Sequence, residues 1–397
     1  MARRNGGFIG TDGLDAPDPP TGVTGTADFG SASIAFTAPT DTGTSAITGF
    51  VAQVSTDGTA YSAGSGTGTS SPIVVSSLTN GTAATAKVWA INAYGTSSPS
   101  DASDSFTPVA SIGLFGGGVS QVTIEQINIT TEGNSSDFGD LTVGTYGRRA
   151  LGSETRGVWG GGEDDTGKLD VIDYVTFASA GNATDFGNLT DDRQKAASFS
   201  NSTRGIWAGG DGGNTVIDYI TIASAGNATD FGDPTQYVYG LSGLASATRG
   251  VYGAGYFGGN YSNKIDYITI ASTGNGSDFG DLTQAAGSSG NSAVASSTRG
   301  LFAAYETSGG ASNVIDYITI ASTGNATDFG DLTDARHTSG GVSSSIRAVW
   351  GPGSDASPSN VMDFVTIATT GNAADFGDMQ VLNNEFGACS NTHGGLA

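Results

Sequence analysis

The sequence predicts an all-β chain in two parts: a small β-sandwich, then six copies of one motif that close into a six-bladed β-propeller. Three observations carry this expectation. After residue 110 the tripeptide Asp-Phe-Gly recurs six times, with its Asp at 137, 185, 230, 278, 328 and 375, a period of 45 to 50 residues. Each unit divides into four short runs of β-branched and aromatic residues bounded by Gly, Asn and Asp, which at this period suits a four-stranded propeller blade. No segment carries the 3.6-residue apolar period of a helix.

The bulk numbers fit. With 397 residues the chain has room for two domains. Its 64 glycines against 10 prolines read as turn punctuation between thin strands. The formal net charge of −23, from 38 acidic and 15 basic residues, repels phosphate backbones and anionic membranes, so nucleic acid is excluded as a partner. Cys389 is the single cysteine, which allows neither an intrachain disulfide nor a thiolate metal site. Arg3 and Arg4 are followed by no apolar segment, so no signal peptide is expected. No run approaches a membrane span, and no membrane insertion is expected.

In chain order, residues 1–16 form a Gly-rich leader. Its Phe8, Ile9 and Leu14 suit either a frayed terminus or a docking peptide that orders against a partner. Residues 17–108 hold the sandwich, with strand-like runs SASIAFTAP, ITGFVAQVSTDGTAYS and TAKVWAINAYG. Residues 111–397 hold the repeats. In one unit, AASFSNS is the first strand, the Trp-containing run ending in Gly209-Gly210 the second, IDYITIAS the third and ATDFGDL the last. The array opens at Gly113 with GLFGGG, a second strand, and ends with FGACSNTHG from Phe386, a first strand. The C-terminal strand is thus expected to complete the blade begun near residue 113 and leave no open edge.

These residues resemble known families. The apolar-aromatic-Gly-Gly run, the later Tyr and large aromatic, and the Arg after Asp192 resemble kelch and galactose-oxidase-like propellers, with Phe replacing the expected Trp in every Asp-Phe-Gly. Pro19-Pro20, Phe36, the run from Leu78 through Gly81 and the run from Val88 to Gly95 resemble a fibronectin type III module, an immunoglobulin-like sandwich. Ala84 stands where that module places its corner tyrosine, and Trp89 is expected to supply the missing packing. The leader GGFIGTDGLDAPD and the unit IDYITIASTGNATDFGDLT resemble virion structural proteins of tailed phages, particularly those of marine cyanobacteria. That resemblance implies a non-enzymatic component of the tail, fibre or head surface in a multi-copy assembly. It would be located in the virion and anchored by leader and sandwich, with other virion proteins or a host-surface glycan as partners. The alternatives are a secreted carbohydrate-binding or carbohydrate-active protein and a purely structural decoration protein.

Catalytic motifs are wanting. His337 and His393 lie in different repeats without metal-ligand spacing, and no nucleophile elbow or phosphate loop occurs. No cofactor is expected. Asn182, Asp185 and Asn188 offer oxygens for calcium, although such residues more often cap turns. The recurring Arg156, Arg204, Arg249, Arg299 and Arg347 are expected to pair with the recurring Asp173, Asp218, Asp266, Asp316 and Asp363 as a structural salt-bridge ring.

Strand alternation sharpens the picture. The repetitive turns S-x-T-R-G and A-S-[AT]-G-N share one face, which is also where the chain enters. The other connections share the opposite face and differ in length and content. Loops that diverge on a repeated scaffold are where recognition usually lives. Tyr256, Tyr261, Tyr305, Tyr237, Tyr239, Arg148 and Arg149 are the binding candidates on that variable face, with tyrosines able to stack on sugars.

Overall fold

The computed structural model describes residues 15–28, 30–79, 82–108, 111–211, 216–287, 290–355, 359–382 and 384–396. The chain is all-β and divides into two compact units, 1–110 and 111–397. Among the described residues no helix is long and apolar enough to cross a membrane. Phe8, Ile9 and Leu14 lie outside the described residues.

The first unit has strands β1 (Thr21–Asp28), β2 (Ser31–Thr37), β3 (Ile47–Ser55), β4 (Gly64–Gly68), β5 (Ile73–Val75), β6 (Thr85–Asn92) and β7 (Gly95–Thr96). They form an antiparallel three-stranded sheet, β1-β2-β5, and a four-stranded one, β4-β3-β6-β7. Strict alternation aims Ile34, Phe36, Phe50, Val54, Val75 and Val88 into one shared core. On β6 the inward residues are Ala86, Val88 and Ala90, so Trp89 is half-buried on the opposite face and cannot supply core packing as expected. Phe106 fills that role. It pairs with Ala84 and lies so close to Gly25 that a Cβ there would stand 2.2 Å from its ring. The segment after β7 is pinned by a serine every third residue. Ser97, Ser100 and Ser103 accept hydrogen bonds from the amides of Ala90, Val88 and Ala86.

The second unit contains six antiparallel sheets built on one four-strand order. Five begin with an inner strand that is followed in sequence by its neighbours; these inner strands are Arg149–Gly152, Ala197–Ser200, Ser242–Ala245, Val294–Ala295 and Gly341–Ser343. In the first sheet the chain starts at the second strand, Ile112–Gly116, and the inner strand, Gly387–Ser390, arrives from the C-terminus. Each inner strand lies beside those of the sheets before and after it, and Gly387–Ser390 lies beside both Arg149–Gly152 and Gly341–Ser343. Neighbouring inner strands are joined by serine hydroxyls. Ser198 donates to Ala150 carbonyl at 2.7 Å, Ser343 to Ala295 at 2.9 Å and Ser390 to Ser343 at 2.8 Å.

Aromatic residues fill the gaps between sheets. The second strands carry Phe115, Trp159, Trp207, Tyr252, Phe302 and Trp350, each buried against the preceding sheet. Full burial of such a side chain contributes roughly 1.5–3 kcal/mol. The six Asp-Phe-Gly phenylalanines are buried as well.

The Gly-Asn before each Asp-Phe-Gly forms a latch onto the outer strand of the preceding sheet. Gly181 amide donates to Phe138 carbonyl at 2.7 Å, and Asn182 Oδ1 accepts from Asp140 amide at 3.1 Å. The same pair recurs through the sheets and ends with Gly133 on Phe376 and Asn134 on Asp378, which joins the first sheet to the sixth. This close approach requires the glycine of Asp-Phe-Gly. At Gly187 (φ +146°) a Cβ would sit 2.6 Å from the carbonyl of Gly226.

Candidate functional site

Antiparallel order gives the six sheets two edges, and the two differ in how far they repeat. On the first edge the turn between inner and second strands is locked the same way each time. Side-chain oxygens of Ser153, Asn201, Ser246, Ser296 and Ser344 accept from the amides of Arg156, Arg204, Arg249, Arg299 and Arg347 at 2.8 to 3.2 Å. In the first sheet the turn is split between the chain's two ends, and Asn391 accepts from Ile112 amide at 2.8 Å.

The five arginines do not pair with the five recurring aspartates, contrary to expectation. Each guanidinium stacks on an aromatic ring of its own sheet and donates to a carbonyl of the next one. Arg204 lies 4.8 Å from the Tyr219 ring centre and donates to Ile270 at 2.8 Å. Arg156, Arg249 and Arg299 repeat this on Tyr174, Tyr267 and Tyr317, and Arg347 does so on Phe364 and Thr130 carbonyl. The sixth position is Ile112.

The aspartates are buried on the third strands and accept instead from a threonine that follows the preceding Asp-Phe-Gly. Thr142 bonds Asp173, Thr190 Asp218, Thr235 Asp266, Thr283 Asp316 and Thr333 Asp363. Three of these carboxylates take a buried arginine from the chain beyond that threonine: Arg148 meets Asp173 at 2.9 Å, Arg193 meets Asp218 at 2.8 Å, and Arg336 meets Asp363. Lys264 lies 3.6 Å from Asp266. Asp316 has no cation within ion-pair distance among the described residues; burial raises its carboxyl above the ordinary range, against the Thr283 bonds. Sequence reasoning missed these threonines, although the recurring Asp-Leu-Thr after Asp-Phe-Gly was the available signal.

Of the calcium candidates, Asn182 has its oxygen engaged by the Asp140 amide of the first sheet, and among the described residues no three His, Cys, Asp or Glu side chains gather as a metal site.

The second edge carries the variable loops. Its inner rim is a series of left-handed residues, Gly147, Lys195, Gly240, Thr338 and Glu385, with φ from +56° to +69°. They are linked by backbone bonds from Lys195 to Gly147, Gly240 to Lys195, Gly147 to Glu385 and Glu385 to Thr338. Lys195 also lies 3.6 Å from Glu385.

Of the seven binding candidates, Tyr239, Tyr256 and Tyr261 come together. Tyr239 pairs across strands with Tyr256, and Tyr256 with Tyr261. Opposed residues of an antiparallel pair point to the same face, and both ring pairs have centres 5.4 Å apart. All three rings are half-buried, as is Tyr237 nearby, and Phe257 is exposed at the hairpin tip.

Tyr305, Arg148 and Arg149 are not surface residues and are withdrawn as binding candidates. Tyr305 is fully buried, and burial, with Asp316 adding, raises its phenol far above the ordinary range. Arg148 is held in the Asp173 pair. Arg149 is enclosed between sheets, donates from Nε to Ala196 carbonyl at 2.9 Å, and is lowered by burial to about 10. Loop composition carries no record of depth, which is why the sequence misplaced them.

A cavity of about 50 Å³ runs between the inner strands, room for a few waters and too small for an organic ligand. At one end Asn291 spans it, donating to Ala150 and Ala388 carbonyls at 2.8 and 2.7 Å. At the other end His393 closes it, with Nε2 2.9 Å from Gly152 carbonyl and Nδ1 accepting from Gly395 amide at 3.1 Å. Cys389 also lines the cavity, and burial raises its thiol well above the ordinary range, so it is no nucleophile.

No family model matches the chain, and no curated protein matches it.

Proposed function

We propose that the chain is a non-enzymatic structural component of a tailed-phage virion, on the tail, fibre or head surface. In this reading the N-terminal part anchors it, and the second unit is a six-bladed kelch-like β-propeller that presents its variable edge to another virion protein or a host-surface glycan. The first unit is read as a fibronectin type III-like module, supported by its three- and four-stranded sheets and by Phe106 beside Ala84.

The observation that carries the reading is the contrast between the two edges. One is locked sheet by sheet through the same turns, arginines and latches. The other varies in every sheet while standing on that shared frame, which is how a repeat scaffold carries recognition. The buried His393, Cys389 and Asp316 are each enclosed in structural contacts, which supports a role without catalysis.

Electron cryo-microscopy of the purified particle tests this. The expected map has the first unit against a virion scaffold and the variable edge in solvent. A map with the variable edge buried between subunits supports the decoration-protein alternative instead. Absence of the chain from particles overturns the virion reading.

A further inference from the structure

The variable edge is not uniform, and its fourth sheet carries something the others lack. At the positions of Tyr239 and Tyr256, the loop-to-hairpin pairs elsewhere are Tyr146–Glu163, Gln194–Asp211, Gly287–Glu306 and His337–Ser354. Among these bridges of the described residues only that of the fourth sheet puts aromatic rings at both positions, and Tyr261 on the next strand extends them into a row of three.

The row has defined surroundings. Tyr261 lies over Gly287, where a Cβ would meet its ring at 3.2 Å, so a bare glycine gives it room. At that end Glu306 of the fifth sheet stands near Tyr261, and burial followed by that carboxylate raises its phenol. At the other end Tyr239 feels Asp211 of the third sheet, which is paired to Lys168 at 3.2 Å. Lys264, the cation nearest in sequence, is turned to Thr235 and Asp266. Phe257 and Asn260 alternate to the other face of the hairpin, and Phe257 is 47% exposed.

We propose that this tyrosine row is a binding platform for a neutral saccharide, with a pyranose lying against Tyr256 and its hydroxyls donating to Glu306. The inference rests on the reading of this edge as the presenting surface. Aromatic faces favour a ligand with an apolar C–H face. Ionised carboxylates only accept hydrogen bonds, so the ligand must bring donors at its rim. A pyranose has both features. An acidic sugar is repelled by Glu306 and the chain's net charge of −23. The three rings follow one another along one sheet face, tilted by 56° and 76° to their neighbours, whereas a quaternary ammonium is held best by rings that surround it.

The test uses the full chain and follows tyrosine fluorescence and ligand-observed NMR with cellotriose, maltotriose and chitotriose, and with sialyllactose and choline as controls. At least one neutral trisaccharide is expected to bind at millimolar concentration. Tyr256→Ala is expected to weaken it about tenfold, whereas Tyr94→Ala, at an exposed tyrosine of the first unit, leaves it unchanged. Tyr261→Phe keeps every ring and removes one hydroxyl, and it is expected to weaken binding about threefold, which covers the case in which Tyr256→Ala loosens the hairpin. Binding of none of the three sugars, binding indifferent to both variants, or tighter binding of sialyllactose or choline overturns the inference. None of these results bears on particle association, which is read separately from the protein content of purified particles.

Discussion

Arg193 and Asp218 form an ion pair 2.8 Å long in which both side chains are buried. The corresponding residues two sheets further on are Ala286 of the fourth sheet and Asp316 of the fifth, and this carboxylate keeps its threonine but has no cation within ion-pair distance among the described residues. The same amide-for-carboxylate replacement should therefore act in opposite directions at the two sites. Asp218→Asn leaves Arg193 charged and uncompensated, at a cost of about 3–5 kcal/mol. Asp316→Asn removes a charge that burial already disfavours, so it is neutral or stabilising at pH 7. A raised folded pKa means that the Asp316 penalty is absent below the unfolded carboxylate range, near 3.9, and grows as pH rises through the folded value. Urea denaturation of both variants at neutral and acid pH checks the contrast.

The Asp-Phe-Gly latch predicts a matched pair. A Cβ at Gly187 would stand 2.6 Å from the carbonyl of Gly226, and one at Gly377 would stand 2.6 Å from that of Gly133. Gly187→Ala and Gly377→Ala should each destabilise by more than about 1 kcal/mol, and by similar amounts. Thermal unfolding measures both. A harmless Gly377→Ala would mean that the sixth sheet does not meet the first.

The arginine clamps are stacked and bonded to carbonyls, with no ion pair at four of the five sites among the described residues. Arg204→Ala should cost about 1–2 kcal/mol. Added salt should barely change that loss, since no opposite charge is being screened. A loss that shrinks markedly in high salt would restore the salt-bridge account.

His393 makes the C-terminal segment acid-sensitive. Its Nδ1 accepts from Gly395 amide and its Nε2 meets a carbonyl, so the imidazole is held neutral, and burial lowers its pKa. A lowered folded value means that the unfolded chain binds the proton more readily. The stability contributed is complete above the unfolded value, about 6.5. It falls as pH drops below that and levels off beneath the folded value. His393→Asn should lose this increment, so the difference in urea midpoint between wild type and variant should shrink from pH 8 to pH 5.

Strand number and order were legible because period-two patterning and the Asp-Phe-Gly turns are local. Partnerships between sheets were not. Arg204 finds its acceptor 66 residues away at Ile270, and nothing near Arg204 in sequence indicates it. Trp89 was misread because one residue of strand parity exchanges core for surface. The tyrosine row was half visible: aromatic loop residues stood out, but only cross-strand register separates Tyr239, Tyr256 and Tyr261 from the buried Tyr305.

The claim beneath the whole account is that the C-terminal strand closes the second unit. Leu114 and Cys389 are cross-strand partners although 275 positions separate them in sequence, and opposed residues of an antiparallel pair lie within disulfide reach. The decisive measurement is oxidation of the Leu114→Cys variant, followed by non-reducing electrophoresis and peptide mapping. Closure predicts one intrachain cross-link between positions 114 and 389 in the folded chain and none in the denatured chain. Two free thiols in the folded chain, reacting as fast as in the denatured one, would contradict it.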